Sequence, residues 1–220
     1  MKIAIDGPAG AGKSSIAKLV SKELGFIYID TGAMYRASAL YAIEHGIKIC
    51  EESFTDKVLD KIKIDIKYDE EGQKIYLCGK DVSKRIREAD VSIGASDIAV
   101  IPSVRLKLVE LQRKLASDND VIMDGRDIGT YVLPDAELKI YLTASVEERA
   151  RRRLNELLEK GQKADFETVK KDIEYRDKND SEREFAPLRQ AEDAVLVDTT
   201  EMSIDEVKNH ILGLVRGLKK

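Results

Sequence analysis

The chain has 220 residues, of which 43% are hydrophobic and 35% charged, with a formal net charge of −4. That length suffices for one domain with its own core, and the slight acidity argues against a nucleic-acid binder driven by overall positive charge. Its two cysteines, Cys50 and Cys78, have no CxxC spacing and no histidine cluster beside them, so they are expected to be free thiols in apolar surroundings.

In chain order, short apolar runs alternate with helical periodicity. Ile3 to Ile5, Phe26 to Ile29, Val121 to Met123, Leu138 to Leu142 and Ala194 to Val197 are rich in branched residues and predict buried strands of a parallel sheet. Between them, Ser14 to Leu24 predicts a helix stopped by Gly25, and Ala33 to Glu44 one stopped by Gly46. Pro102 opens a helix to Ala116, Val146 to Glu159 ends at Gly161, and Ile204 to Leu218 follows a cap at Ser203 or Thr200. This alternation implies a doubly wound α/β core with a five-stranded parallel sheet.

Two segments depart from the rhythm. Ile62 to Val82 alternates apolar and polar residues on either side of an Asp/Glu/Gly turn, which predicts a small antiparallel insertion. Glu147 to Arg183 is dense in both signs of charge and predicts two helices joined near Gly161. No leader and no apolar run of membrane length is visible, so a cytoplasmic protein with no membrane partner is expected. His45 and His210 fall on helical stretches and are expected at the surface, which disfavours histidine catalysis.

The densest chemistry lies in Gly7-Pro8-Ala9-Gly10-Ala11-Gly12-Lys13-Ser14, a G-x-x-x-x-G-K-[ST] loop between a strand and a helix, with Ser15 following it as a further phosphate-binding candidate. Glycines let backbone N–H groups turn toward phosphate oxygens, and the helix that follows points its positive end at the same anion. Lys13 is expected on the β- and γ-phosphates of a nucleotide, and the Ser14 hydroxyl on Mg²⁺. Asp124, at the end of the third core strand, is the second candidate for organising that ion.

Four arginine-bearing stretches suggest a second anion, because the guanidinium fork matches phosphate. Asp30-Thr31-Gly32-Ala33-Met34-Tyr35-Arg36 follows the second strand, where ligands bind in open α/β sheets, and Thr31 is a candidate helix cap. Asp124-Gly125-Arg126-Asp127-Ile128-Gly129 follows the third. Arg149, Arg152 and Arg153 share a helix face, which would serve a closing lid or simply pair with Glu147, Glu148 and Glu156. Arg176, Asp180 and Arg183 would face one way if helix persists that far, suited to a sugar phosphate or to a plain salt bridge.

These motifs, in this order and over essentially the whole chain, resemble the bacterial-type cytidylate kinases of the nucleoside monophosphate kinase group. The resemblance implies a P-loop core over about 1–30, 102–145 and 186–220 within a single domain. It implies a CMP-binding part carrying the hairpin over about 31–101, and a helical lid over about 146–185. It further implies transfer of the γ-phosphoryl group of MgATP to CMP or dCMP by a monomer with no nucleic-acid partner. Residue by residue, Ser96, Arg105 and Asp127 would recognise the cytosine edge, although periodicity alone makes Ser96 and Arg105 ordinary surface residues. Arg36 and Arg126 would hold the acceptor phosphate with help from Arg183, beside Thr31 and Tyr35. Arg176 and Asp180 would contact the ribose, and Arg149 and Arg153 would belong to the lid. Lys13, Arg126, Arg149 and Arg153 form the expected catalytic set.

Overall fold

A computed structural model describes residues 1–69, 72–159 and 161–218. The chain runs β1 (Lys2–Asp6), α1 (Lys13–Leu24), β2 (Ile27–Asp30), α2 (Thr31–Glu44), α3 (Asp56–Leu59), β3 (Ile64–Asp69), β4 (Gly72–Leu77) and β5 (Lys80–Asp81). It continues through α4 (Ala89–Ile98), α5 (Pro102–Ala116), β6 (Val121–Gly125), β7 (Leu138–Thr143), α6 (Val146–Glu159), α7 (Phe166–Glu182), β8 (Val195–Asp198) and α8 (Ile204–Leu218). The expected strands and helices are all present, with ends shifted by a residue or two.

Five strands form one sheet in the order β2-β6-β1-β7-β8, with β1 parallel to β6 and β7, and β7 parallel to β8. Three more form an antiparallel sheet, β3-β4-β5. The turn expected between β3 and β4 includes Glu70 and Glu71, which lie outside the described residues. The chain clusters into two compact units, Met1–Tyr28 with Asn119–Lys220, and Ile29–Asp118.

In the first unit the central strand β1 is buried from Ile3 onward, as a strand covered on both faces must be. Ile3, Ile5, Ile122, Ile140 and Leu142 pack against Ile16, Ala17 and Val20 of α1 and Val207, Ile211 and Val215 of α8. Each large side chain removed from water in this way is worth about 1.5–3 kcal/mol. Ser203 caps α8: its Oγ accepts the Glu206 N–H, while the Glu206 carboxylate accepts the Ser203 N–H at 2.8 Å. Helices α6 and α7 have a small cluster of their own, built on Ala150, Val169 and Ile173.

In the second unit α2 is buried nearly all round, through Ala33, Met34, Ala37, Leu40 and Tyr41. Its cap is Asp30 rather than Thr31: the Asp30 carboxylate accepts the Ala33 N–H at 2.8 Å. Helix α5 groups with this unit because Val104 and Leu108 pack into the cluster formed by α2, α4 and the small sheet. Cys50 and Cys78 are free thiols, as expected, but Cys78 is exposed rather than in apolar surroundings. His45 and His210 are exposed, and His45 stacks on Tyr41. Among the described residues no helix is long and apolar enough to cross a membrane.

Candidate functional site

Strand β1 ends at Asp6, and the loop Gly7–Gly12 turns directly into α1. Gly7 has φ +147°, and a Cβ there would overlap the backbone carbonyl oxygen of Leu142 on β7, so no larger residue fits. Gly12 adopts the left-handed conformation that starts α1. The first N–H groups of that helix, left without intrahelical acceptors, and its positive end both face the loop. Lys13 is almost fully buried and donates to the Pro8 carbonyl at 2.7 Å. Burial, reinforced by the positive charge of Arg126, brings its ammonium down to about 7. A lysine so placed gains most from an anion.

The Asp124 carboxylate, buried near the end of β6, accepts the Ser14 hydroxyl at 2.7 Å and the Tyr28 hydroxyl at 2.9 Å. Ser14 and Asp124 are therefore brought together, as the sequence suggested. No cluster of three or more His, Cys, Asp or Glu side chains among the described residues is suited to hold a metal by itself. One hydroxyl and one carboxylate suit a magnesium ion that takes its other ligands from water and substrate phosphates.

Arg126 follows β6 and donates through Nε to Asp180 at 2.6 Å. Burial works against its charge, but Asp180, with Asp124 and Asp177 beyond, outweighs that and holds the guanidinium above its usual range. Asp127 meets the Arg183 Nη2 at 3.2 Å, and Arg183 Nη1 lies 3.6 Å from Asp180. Helix α7 stops at Glu182 and Arg183 is extended, so the expected continuous helical face breaks one residue early. Arg183 still joins Asp180 and Asp127, because its Nε donates to the Ala186 carbonyl beyond the helix end.

Arg176 is half-buried and has no carboxylate at ion-pair distance among the described residues. Burial lowers its titration, and the charges of Arg153 and Arg126 lower it further. The guanidiniums of Arg153 on α6 and Arg126 on the β6 loop therefore both act on Arg176 of α7.

The arginines of α6 divide in their contacts. Arg151 and Arg152 pair with Glu148, and Arg153 with Glu156 at 3.0 Å, the plain pairing the sequence allowed. Arg149 instead is buried and donates to the carbonyls of Ala144 and Ala9 and to Asp177 at 2.6 Å. Asp177 also accepts the Ala9 N–H at 3.1 Å, so α6, α7 and the phosphate loop are tied at one point.

In the second unit, Arg36 donates to Asp30 at 2.9 Å, which places its guanidinium over Gly32. Arg87 stands 3.6 Å from the same carboxylate. Arg105 is fully buried and not at the surface as periodicity suggested: it donates to the Ala99 carbonyl at 3.0 Å and lies over the Tyr35 ring. Thr31 is buried, and Ser96 is half-buried on α4.

Several residues escaped the sequence. Asp6 is buried and accepts the N–H groups of Ile128 and Gly129, while Asp177 and Tyr28 hold groups described above. A cavity of about 360 Å³ opens beside the loop, walled by Gly10, Gly12, Ser15, Arg152, Thr199 and Met202. Arg152 donates to the Thr199 carbonyl at 2.6 Å, linking α6 to the β8–α8 connection. The strand ending at Asp6 and the alternating carboxylates of α7 were the available signals, but both also fit ordinary surface or turn chemistry.

A search of known families matches residues 3–217 to the model described as cytidylate kinase. Curated relatives of that name include one from Caldicellulosiruptor saccharolyticus, 54% identical over 97% of this chain and 95% of its own. Another, from Lactobacillus johnsonii, is 49% identical over 100% of this chain and 96% of its own. Among solved structures, a gluconokinase from Sinorhizobium meliloti superposes with a TM-score of 0.52 at 14% identity, covering 99% of this chain and 93% of that one. A shikimate kinase from Bacteroides thetaiotaomicron gives 0.50 at 14% identity, over 98% of each chain. These two likenesses establish the α/β P-loop kinase fold. The whole-chain family match and relatives at about half identity go further: this chain belongs to the cytidylate kinase family.

Proposed function

We propose that the protein transfers the γ-phosphoryl group of ATP to CMP and dCMP, forming ADP and the corresponding diphosphate. The observation that carries this is the convergence of Arg126 and Arg153 on Arg176, a half-buried guanidinium whose charge an anion would stabilise, near Lys13, which burial and the charge of Arg126 lower. A phosphoryl acceptor that is already anionic needs no strong base, and the described site offers none from histidine. The protein's task is alignment and neutralisation of spreading charge.

In this scheme the loop 7–15 holds the ATP phosphates, with the nucleoside part in the cavity walled by Thr199 and Met202. Ser14 and Asp124 would hold Mg²⁺, which when bound neutralises charge on the donor phosphates. Arg36, Arg126 and Arg183 receive the CMP phosphate, beside Thr31 and Tyr35. Arg176 and Asp180 receive the ribose. Ser96, Arg105 and Asp127 read the cytosine edge, where hydrogen bonds to buried polar groups discriminate strongly against a mismatched base. Arg149 and Arg153 belong to a lid whose closure excludes water from the transferred group. We place the protein in the cytoplasm as a monomer, acting on small molecules and not on nucleic acid.

Coupled ADP release against a panel of monophosphates tests this. CMP and dCMP are expected at the top, with UMP well below; equal rates with AMP or dTMP refute the substrate assignment. ATP binding without CMP-dependent turnover would instead indicate a nucleotide-dependent switch.

A further inference from the structure

Asp6 is the last residue of β1, next to Gly7, where the phosphate loop begins. Strand β6, its neighbour, ends at Gly125, opposite Asp6. Sheet pairing therefore positions nothing beyond that residue. The chain then carries Arg126 and Asp127 and enters a wide helical turn, Ile128–Val132. Within that turn Tyr131 and Val132 donate to the Asp127 carbonyl, and Leu133 to the Ile128 carbonyl. The first N–H groups of the turn have no acceptor inside it.

Asp6 supplies that acceptor. Its Oδ1 accepts the Ile128 N–H at 2.8 Å, and its Oδ2 the Gly129 N–H at 2.7 Å, across 122 residues of sequence. The carboxylate is 4% exposed. Such charge-assisted, paired bonds are directional and short. Gly129 permits the approach: a Cβ there would stand 3.1 Å from Lys139 Cδ and 3.4 Å from Asp6 Oδ2. On its far side the loop is held by Arg126 on Asp180 and by Asp127 on Arg183. Burial of so costly a carboxylate, next to Asp127, is not what packing alone would select.

We propose that Asp6 is a positioning residue for phosphoryl transfer: by gripping both N–H groups, it fixes Arg126 relative to the phosphate loop. This rests on the kinase function proposed above. Misplacement of a reacting group by about 1 Å costs on the order of 100-fold in rate.

The test compares Asp6→Ala and the near-isosteric Asp6→Asn in full-length protein. Alanine is expected to lower kcat roughly 10- to 100-fold. Asparagine, whose single carbonyl oxygen can accept one of the two bonds, is expected to restore part of it. The MgATP dissociation constant, measured by equilibrium dialysis, should change by less than about twofold, because the N–H groups of the phosphate loop are untouched. An alanine variant with wild-type kcat overturns the proposal. So does a parallel fall of kcat, MgATP affinity and melting temperature in which asparagine is no better than alanine, since that marks a merely structural role. Wild-type protein that shows no CMP-dependent ADP release refutes the kinase function instead. The anchoring is then judged by amide hydrogen exchange at Ile128 and Gly129, expected to be faster in Asp6→Ala; unchanged protection overturns it.

Discussion

Replacing Arg126 with alanine separates stability from catalysis. The Arg126 side chain is 27% exposed and its Nε lies 2.6 Å from Asp180, itself 12% exposed. Removal leaves Asp180 with Arg183 at 3.6 Å, so the carboxylate is weakened in its pairing but not abandoned. A half-buried charged hydrogen bond lost in this way costs about 2 kcal/mol. Relief of the repulsion that Arg126 exerts on Lys13 and Arg176 offsets part of that. In a chain of this size the melting temperature should fall by no more than about 4–8 °C. The catalytic loss is larger. An arginine aimed at the transferred phosphoryl group supplies about 10³- to 10⁵-fold. With Lys13, Arg153 and Arg176 still in place the lower end applies, about 10³-fold or ~4 kcal/mol of barrier. Steady-state ADP release with saturating MgATP and CMP gives kcat, and a thermal melt of the same preparation gives stability. A folded variant whose kcat stays within tenfold of wild type would refute the assignment of Arg126 to the reacting phosphate.

Two further outcomes are expected. Burial pushes the Asp6 carboxyl up from 3.8 to about 6, against the N–H bonds of Gly129 and Ile128; the Asp127 charge adds to the rise and Lys13 opposes it. The folded state thus keeps a proton that the unfolded chain has released, so this group favours the fold below about pH 4 and that contribution is lost as pH rises through about 6, on the order of 3 kcal/mol. Urea melts between pH 4 and 7 should show a less negative slope of stability against pH in Asp6→Asn than in wild type, and identical slopes would contradict the sign. Gly7→Ala combines a left-handed backbone with overlap onto the Leu142 carbonyl, a clash that no side chain can relieve. It should destabilise the fold by more than about 3 kcal/mol, and a denaturation midpoint near wild type would count against the loop geometry.

Features that depend on local periodicity and on residue types with narrow chemistry are legible from the amino-acid order. The branched runs around Ile5, Ile122 and Ile140 can only be buried strands of a covered sheet. Gly12 and Gly25 mark the ends of α1 because both adopt left-handed backbone that other residues avoid. The phosphate loop is legible for the same reason, since Gly7, Gly12, Lys13 and Ser14 must stand at fixed spacing to surround an anion. Which charges meet is settled by the assembled fold. Asp6 finds Ile128 and Gly129, Arg126 finds Asp180, and Arg149 finds Asp177 and Ala9, all across spans that no local pattern encodes. Arg105 shows the limit most clearly. Its helical spacing reads as surface, yet packing of α5 within the second unit removes it from solvent entirely. A guanidinium's partner and burial are set by where distant backbone carries a carboxylate or a carbonyl, and that is a property of the assembled sheet and helices.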